Sequence, residues 1–265
     1  SQIQSPFANI TGYLPRYYAM IASAERLMEA ETYKDDENFM NQGGLETMAE
    51  VHKFYENQFA GISLKQVGFT YQPPVKDSKV VMPVVLRNIN INIQKGEYIA
   101  FSGPSGCGKS TILKLMMNLY PVDNGECRID IQYADEKFSN ESIPLTAEYR
   151  SLFAYVPQGN YLMSGSIREI VAFSDQVSMK DEERIWYSLT IACAAEFVKE
   201  FALGIDTVLG EHGTGLSEGQ MQRIAIARAI FSKHPVLLLD ESTSALDEKT
   251  ENELLRNLRS LTDKT

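Results

Sequence analysis

The sequence predicts an α/β fold, a largely parallel β-sheet covered by helices, and three observations carry that expectation. Short apolar runs alternate with stretches of helical periodicity through the second half of the chain, the pattern of strand–helix–strand units. A glycine-rich loop, Gly103 to Thr111 (GPSGCGKST), stands between an apolar run and a helix-like stretch. A second apolar run, Val236 to Leu239, ends in the acids Asp240 and Glu241, which sets two carboxylates at a strand tip.

Taken in chain order, apolar residues from Ile10 to Met28 recur at three- and four-residue steps (Ile10, Leu14, Tyr17, Ile21, Ala24, Met28), the spacing of one helical face. Pro15 is expected to start or kink that helix, which either docks on the protein's own core or serves a membrane partner. Residues 31–60 read as a linker with a short helix, its first part (ETYKDDENFMNQGG) polar and closed by Gly-Gly. The globular domain is expected over residues 61–265.

Gly61 to Tyr71 and Asn88 to Ile93 alternate apolar and polar residues with period two, as half-buried strands do. Lys95-Gly96-Glu97 turns the chain, and Tyr98 to Ser102 (YIAFS) is expected as a short buried strand running into the glycine-rich loop. Beyond it come a helix (Ser110 to Leu119), strands at Glu126 to Ile131 and Leu152 to Val156, and a helical block from Ser166 to Phe201. A helix over Glu218 to Ser232, the strand Val236 to Leu239 and a helix over Glu248 to Ser260 complete the pattern.

Composition narrows the function classes. With Lys+Arg 25 against Asp+Glu 35, the 265 residues carry a formal charge of −10, which opposes nonspecific nucleic-acid binding. Three cysteines, Cys107, Cys127 and Cys193, show no CxxC spacing, so neither a disulfide framework nor a zinc site is expected, and a reducing setting fits best. The longest apolar run, Tyr17 to Ala22, is six residues, far short of the roughly 20 that span a bilayer. The start, SQIQSPFANI, has neither the basic flank nor the apolar stretch of a signal peptide. It reads like a segment cut from something longer.

The loop Gly103, Pro104, Ser105, Gly106, Cys107, Gly108, Lys109, Ser110, Thr111 satisfies G-x-x-x-x-G-K-[ST] in its required strand-to-helix context. Its glycines let backbone N–H groups close around phosphate oxygens, and the following helix turns its positive end toward them. Lys109 is expected to reach the β/γ-phosphates and the Ser110 hydroxyl to ligate Mg²⁺. Paired acids at the tip of a buried strand are costly unless a cation or a phosphate-bound water uses them. Asp240 is therefore expected to hold Mg²⁺ through water, and Glu241 to polarise a water for attack on the γ-phosphate.

Leu216, Ser217, Glu218, Gly219 and Gln220 (LSEGQ), followed by MQRIAIARAI and LLLDESTSALD, make the sequence resemble the ATP-binding cassette (ABC) ATPases, whose signature is LSGGQ. The resemblance runs from Ile62 to the C-terminus. It implies a P-loop NTPase core of ABC type with an antiparallel β-subdomain, a helical signature subdomain over about residues 159–220 and, in this chain, an N-terminal helical extension. By resemblance Ser217 and the Gly219 backbone contact the γ-phosphate of a nucleotide held by another protomer. Glu218 stands where glycine is usual, and a carboxylate beside phosphate must point outward or weaken binding.

Other elements carry over residue by residue. Tyr71, in FTY, resembles the aromatic that stacks on adenine, although a tyrosine near a strand end also suits core packing. Gln158, in YVPQ, resembles the glutamine that senses Mg²⁺ and couples nucleotide to the transport domain. Ser244, Ala245, Leu246 and Asp247 resemble the loop that communicates across the dimer. YLMSGSIREIV at Tyr161 to Val171, and DTVLGEHG at Asp206 to Gly213 with the acid Glu211, resemble exporter patterns.

What this implies is an ATPase with ATP and Mg²⁺ as cofactors, powering export at the cytoplasmic face of a membrane. Its partners would be a transmembrane domain upstream in the same polypeptide and a second nucleotide-binding domain, as homo- or heterodimer, with no nucleic acid. ASAERLMEAE, Ala22 to Glu31, resembles the end of the last transmembrane helix, so residues 1–30 are expected as its cytoplasmic end. His52, His212 and His234 all precede Glu241, whereas the family's switch histidine follows it. The domain is accordingly expected to lack its C-terminal part, and these residues alone to hydrolyse ATP weakly or not at all. Two other readings are a soluble ABC ATPase acting on nucleic acid or ribosomes, and a non-hydrolysing ATP clamp. The first predicts basic patches or coiled-coil insertions, and the second a loss of Lys109, Asp240 or Glu241.

Overall fold

A computed structural model describes residues 4–31, 44–72, 82–132, 141–159, 162–173, 175–210 and 215–265. The chain divides into two compact units, Ser1–Gln42 and Gly43–Thr265. In the first, a single helix, α1 (Gln4–Glu31), continues through Pro15. Of the expectation that Pro15 starts or kinks this helix, the start is corrected: the helix already runs from Gln4, with Pro15 inside it, where a proline lacks the ladder donor. No helix among the described residues is long and apolar enough to cross a membrane.

The second unit opens with α2 (Met48–Asn57), nucleated by a capping box in which Thr47 and Glu50 satisfy each other's backbone N–H groups. Its apolar face, Val51, Phe54 and Tyr55, is buried in the same core as Ile62, Leu64 and Leu115, so this helix packs as part of the unit. β1 (Phe59–Thr70) pairs antiparallel with β2 (Val84–Gln94) on one side and β3 (Asn124–Ile131) on the other. β4 (Glu141–Pro144) extends the sheet to the order β2-β1-β3-β4. Between β2 and β3 lies α3 (Lys109–Met116), whose Ile112, Leu113, Leu115 and Met116 are buried beneath this sheet's core.

β5 (Phe153–Val156) leads to the two-residue strand β6 (Gly165–Ser166) and to α4 (Ile167–Val171). The helical block expected from Ser166 resolves into α4, α5 (Glu182–Ile191) and α6 (Ala195–Glu200), with a 3-10 turn, Gln176–Lys180, between α4 and α5. β7 (Val208–Leu209) pairs back onto β6. Then come α7 (Glu218–Phe231), β8 (Val236–Leu239) and α8 (Glu248–Arg259). α4 to α8 share a second core built on Ile167, Ile185, Leu189, Ile224, Phe231 and Leu254.

The parallel sheet is narrower than the alternation predicts. β5 and β8 pair in parallel, Phe153 with Val236 through Val156 with Leu239, and form a two-stranded sheet. Residues 98–102, expected as a buried strand, join no ladder among the described residues. Tyr98 and Ile99 are 43% and 37% exposed. The physical reason lies in the neighbours: β8 pairs with β5 on one side, and toward residues 98–101 it faces a groove of about 440 Å³ lined by Phe101, Leu113, Leu237, Leu239 and Leu258. Thr265 already stands beside β8 as a parallel neighbour would, its N–H donating to Pro235 O and its carbonyl accepting from Leu237 N, both at 2.9 Å.

Candidate active site

The glycine-rich loop connects residues 98–102 to α3. Gly108, at φ 100°, is the N-cap of α3 and contributes no side-chain cap. That left-handed backbone favours glycine, and it lets the loop lie against Val85 and Leu86 of β2 with the first-turn amides of α3 at its mouth. Lys109 Nζ donates to the loop's own Gly103 and Pro104 carbonyls at 3.0 and 3.1 Å, and lies 3.9 Å from Glu241 Oε1. The Arg150 guanidinium donates to Met117 O and Asn118 O, fixing the far end of α3.

The β5–β8 register brings the acids to this loop. Asp240, 3% exposed, accepts from Ser110 Oγ at 2.7 Å through Oδ1 and from the Tyr155 hydroxyl at 3.0 Å through Oδ2. Burial, with the Asp240 acceptor and charge adding to it, pushes the Tyr155 hydroxyl well above the usual tyrosine range. Glu241 adopts φ 49°, a left-handed conformation costing roughly 1–2 kcal/mol for a residue with a Cβ, and its Oε2 accepts from Gln158 Nε2 at 2.5 Å. The cluster therefore gathers two hydroxyls, two carboxylates, an amide and an ammonium at one end of the parallel pair.

Hard oxygen donors at Ser110 and Asp240 suit Mg²⁺. Among the described residues no group of three or more His, Cys, Asp and Glu side chains is placed to hold a metal ion. A cation here would complete its shell with water and phosphate, as Mg²⁺ does at nucleotide sites.

The signature residues form a second cluster at the start of α7. Ser217 is the N-cap: its hydroxyl accepts from Gln220 N at 3.2 Å, and Gln220 Oε1 accepts from Ser217 N at 2.9 Å. Glu218, the first helical residue, is exposed. Gly219 is buried where a Cβ would stand 2.7 Å from Ala245 O and 3.2 Å from Leu246 Cδ2. Gln222, also buried, donates to Ser244 Oγ and accepts from Ala245 N, both at 3.2 Å. Leu216 and Leu246 pack against the helical core, and Asp247 caps α8 through Thr250 N at 3.0 Å. The Ser244 N–H returns to Glu241 O at 3.3 Å, joining the two clusters through residues 241–247.

Residues 86–244 match the family model described as ABC transporter, more than half of the chain. The chain belongs to the ABC transporter family. It is 38% identical over 204 residues to the leukotoxin translocation ATP-binding protein LktB of Mannheimia glucosida, covering 76% of this chain and 26% of that protein. The LktB of Bibersteinia trehalosi is likewise 38% identical, over 203 residues and the same shares. Among solved structures, a bacterial Atm1-family ABC exporter with ATP bound superposes with a TM-score of 0.64 at 31% identity, covering 77% of this chain and 33% of that one. The chain spans about a quarter of the length of the curated relatives it matches.

Within this ABC domain the structure brings together the phosphate loop, Asp240, Glu241 and Gln158. Tyr71 stands beside them, half-buried, its hydroxyl 3.1 Å from Thr111 Oγ1 and its ring edge-on to Phe69 and Tyr120. The signature and the 244–247 loop bind each other instead. Glu211 lies outside the described residues. Sequence reasoning missed Tyr155 and Gln222, although both stand inside quoted strings (YVPQ and MQRIAIARAI). Their roles depend on the β5–β8 register and on the packing of α7 against the 244–247 loop, which no local pattern encodes.

Proposed function

We propose that this domain hydrolyses ATP to drive export, and that two such domains close head-to-tail over two ATP molecules. The observation that carries the reading is the meeting of Ser110, Asp240, Glu241 and Gln158 at the mouth of the phosphate loop. In this reading the loop amides and Lys109 hold the β- and γ-phosphates, Tyr71 borders the base, and Ser110 with Asp240 holds Mg²⁺. Mg²⁺ supplies neutralisation of charge on the phosphates when bound. Glu241 takes the proton of the attacking water, while Gln158 orients the Glu241 carboxylate and reports its state to the transport domain. Leu216 to Gln220 and Ser244 to Asp247 face the nucleotide of the second domain.

The partners in this reading are a transmembrane domain preceding the ATPase in one polypeptide, with α1 as its cytoplasmic end, and a second nucleotide-binding domain, at the cytoplasmic face of the membrane.

Glu241→Gln in the full-length protein tests the core of the proposal. ATP binding is expected to persist while hydrolysis slows by roughly 10²–10⁴, the range for losing a general base. An ATP-dependent dimer should then accumulate in gel filtration. A variant that hydrolyses at the wild-type rate and stays monomeric with ATP would refute the reading.

A further inference from the structure

Tyr155 is a group that the site does not need for phosphate binding, yet it touches the acid at the centre of the site. β5 and β8 run in parallel with Tyr155 opposite Leu238, so Asp240 lies two residues further along the neighbouring strand and on the same face. Two residues of strand advance roughly 6.6 Å, a gap the tyrosine side chain bridges to place its hydroxyl 3.0 Å from Asp240 Oδ2. The other oxygen, Oδ1, accepts from Ser110 Oγ at 2.7 Å, and the Asp240 N–H donates to Val156 O at 2.9 Å. The carboxylate is thus held at both oxygens and at its backbone, in a position that is 3% exposed.

The two contacts at the carboxylate differ in what a cation would do to them. The Ser110 hydroxyl belongs to the donor set that would turn to a divalent cation, releasing Oδ1 to accept from the cation's water. Tyr155 approaches the opposite oxygen and need not move. We propose that Tyr155 is a positioning residue for the cation site: its hydroxyl fixes the rotation of the Asp240 carboxylate so that Oδ1 is presented to the Mg²⁺–nucleotide complex. This rests on the reading of the domain as an Mg²⁺-dependent ATPase. Outer-shell partners of this kind typically account for 10–100-fold in metal affinity. Because Tyr155 stands three residues before Gln158 on the same strand end, it also ties the Gln158 loop to the metal-side acid.

The test is Tyr155→Phe in the full-length protein, which removes one oxygen and leaves the ring. Binding of a fluorescent ATP analogue is measured in EDTA and then across an Mg²⁺ titration, with Mn²⁺ electron paramagnetic resonance as an independent metal readout. Affinity in EDTA should stay within about twofold of wild type, while the Mg²⁺ midpoint and the Mn²⁺ dissociation constant rise about tenfold. In an Asp240→Asn background the same substitution should add no further shift. An unchanged metal midpoint, a loss of affinity equal in EDTA and in Mg²⁺, or a full additional shift on top of Asp240→Asn would each overturn the proposal. Should Tyr155→Phe not fold, Asp240→Asn still decides: with a normal Mg²⁺ midpoint there is no carboxylate at the metal side to position. A wild-type protein that bound no ATP would refute the ATPase reading itself, which keeps the two failures apart.

Discussion

Gly219→Ala sets two physical effects of opposite sign against each other, and the structure says which should win. Position 219 is the second residue of α7, where replacing glycine by alanine ordinarily favours the helix by up to about 1 kcal/mol. Here the new Cβ would stand 2.7 Å from Ala245 O and 3.2 Å from Leu246 Cδ2, against 3.4–4 Å for ordinary contact. The carbonyl belongs to backbone anchored by the Gln222 bonds to Ser244 and Ala245, so it can yield only by breaking them. Overpacking of this kind costs roughly 1–3 kcal/mol, which leaves a net loss of about 1 kcal/mol once helix propensity is credited. At about 2–4 °C per kcal/mol for a domain of this size, thermal unfolding followed by circular dichroism should show a melting temperature lowered by a few degrees. ATP-dependent dimerisation should fall more than stability does, because the displaced groups are the ones proposed to face the second nucleotide. A melting temperature that rises, with dimerisation intact, would show that the contact between α7 and the 244–247 loop is looser than described and that Gly219 is not required by close approach.

Lys109→Ala removes the cation that donates to Gly103 and Pro104; affinity for a fluorescent ATP analogue should drop at least tenfold, since a charge-assisted bond to phosphate carries roughly 1.5–3 kcal/mol. If Tyr71 borders the adenine, Tyr71→Ala should lose roughly 1–3 kcal/mol of ATP affinity, by analogy with other base–aromatic stacks, while Tyr71→Phe keeps it. Equal loss of melting temperature in both variants with ATP binding intact would instead make the ring and its bond to Thr111 part of the core. His234 is held below the usual imidazole value of 6.5 by burial, with nearby Lys264 and His52 adding to the effect, and its Nδ1 sits 2.6 Å from Ser151 O. Because the unfolded chain protonates first, stability should be flat above pH 6.5 and decline as pH falls below it. Denaturant titrations of His234→Gln should show a shallower acid decline than wild type.

The site was legible in the sequence to the extent that its chemistry is local. The nine-residue phosphate loop and the acid-tipped strand announce themselves because strand, turn and helix N-terminus are contiguous there. The α7 and β8 ranges agree with expectation within a residue, since a continuous periodic run fixes both. Residues 98–102 failed as a strand because strandedness is a property of partners: an apolar run with a groove on its flank has backbone groups but no ladder. Glu126 to Ile131 was read correctly as a strand, yet nothing local reveals that β3 joins an antiparallel sheet with β1 rather than the parallel pair. The packing of α2 was hidden for a similar reason, its buried face being only Val51, Phe54 and Tyr55 on an otherwise polar helix.

The segment from Asp240 to Asp247 is where the separate parts of the site become one device. Its first acid is bonded to Ser110 of the phosphate loop and to Tyr155, its second to Gln158, its middle to Gln222 of α7, and its last residue caps α8. Neutral bonds of this sort each contribute about 1 kcal/mol net, and those to a carboxylate about 1.5–3. No single one is strong enough to lock the segment, but a shift at one end strains the rest. Lys109 and Gln158 both attend to Glu241, the ammonium at 3.9 Å and the amide at 2.5 Å. In the proposed reading a γ-phosphate at the loop would compete for that ammonium, and a cation would draw the Ser110 hydroxyl from Asp240. One binding event would thus act on the partners of both acids. Tyr155 on one side and Gln222 on the other hold the segment independently of Lys109 and Ser110, so in the proposed reading a response to nucleotide would run along the chain toward Ser244 and the signature.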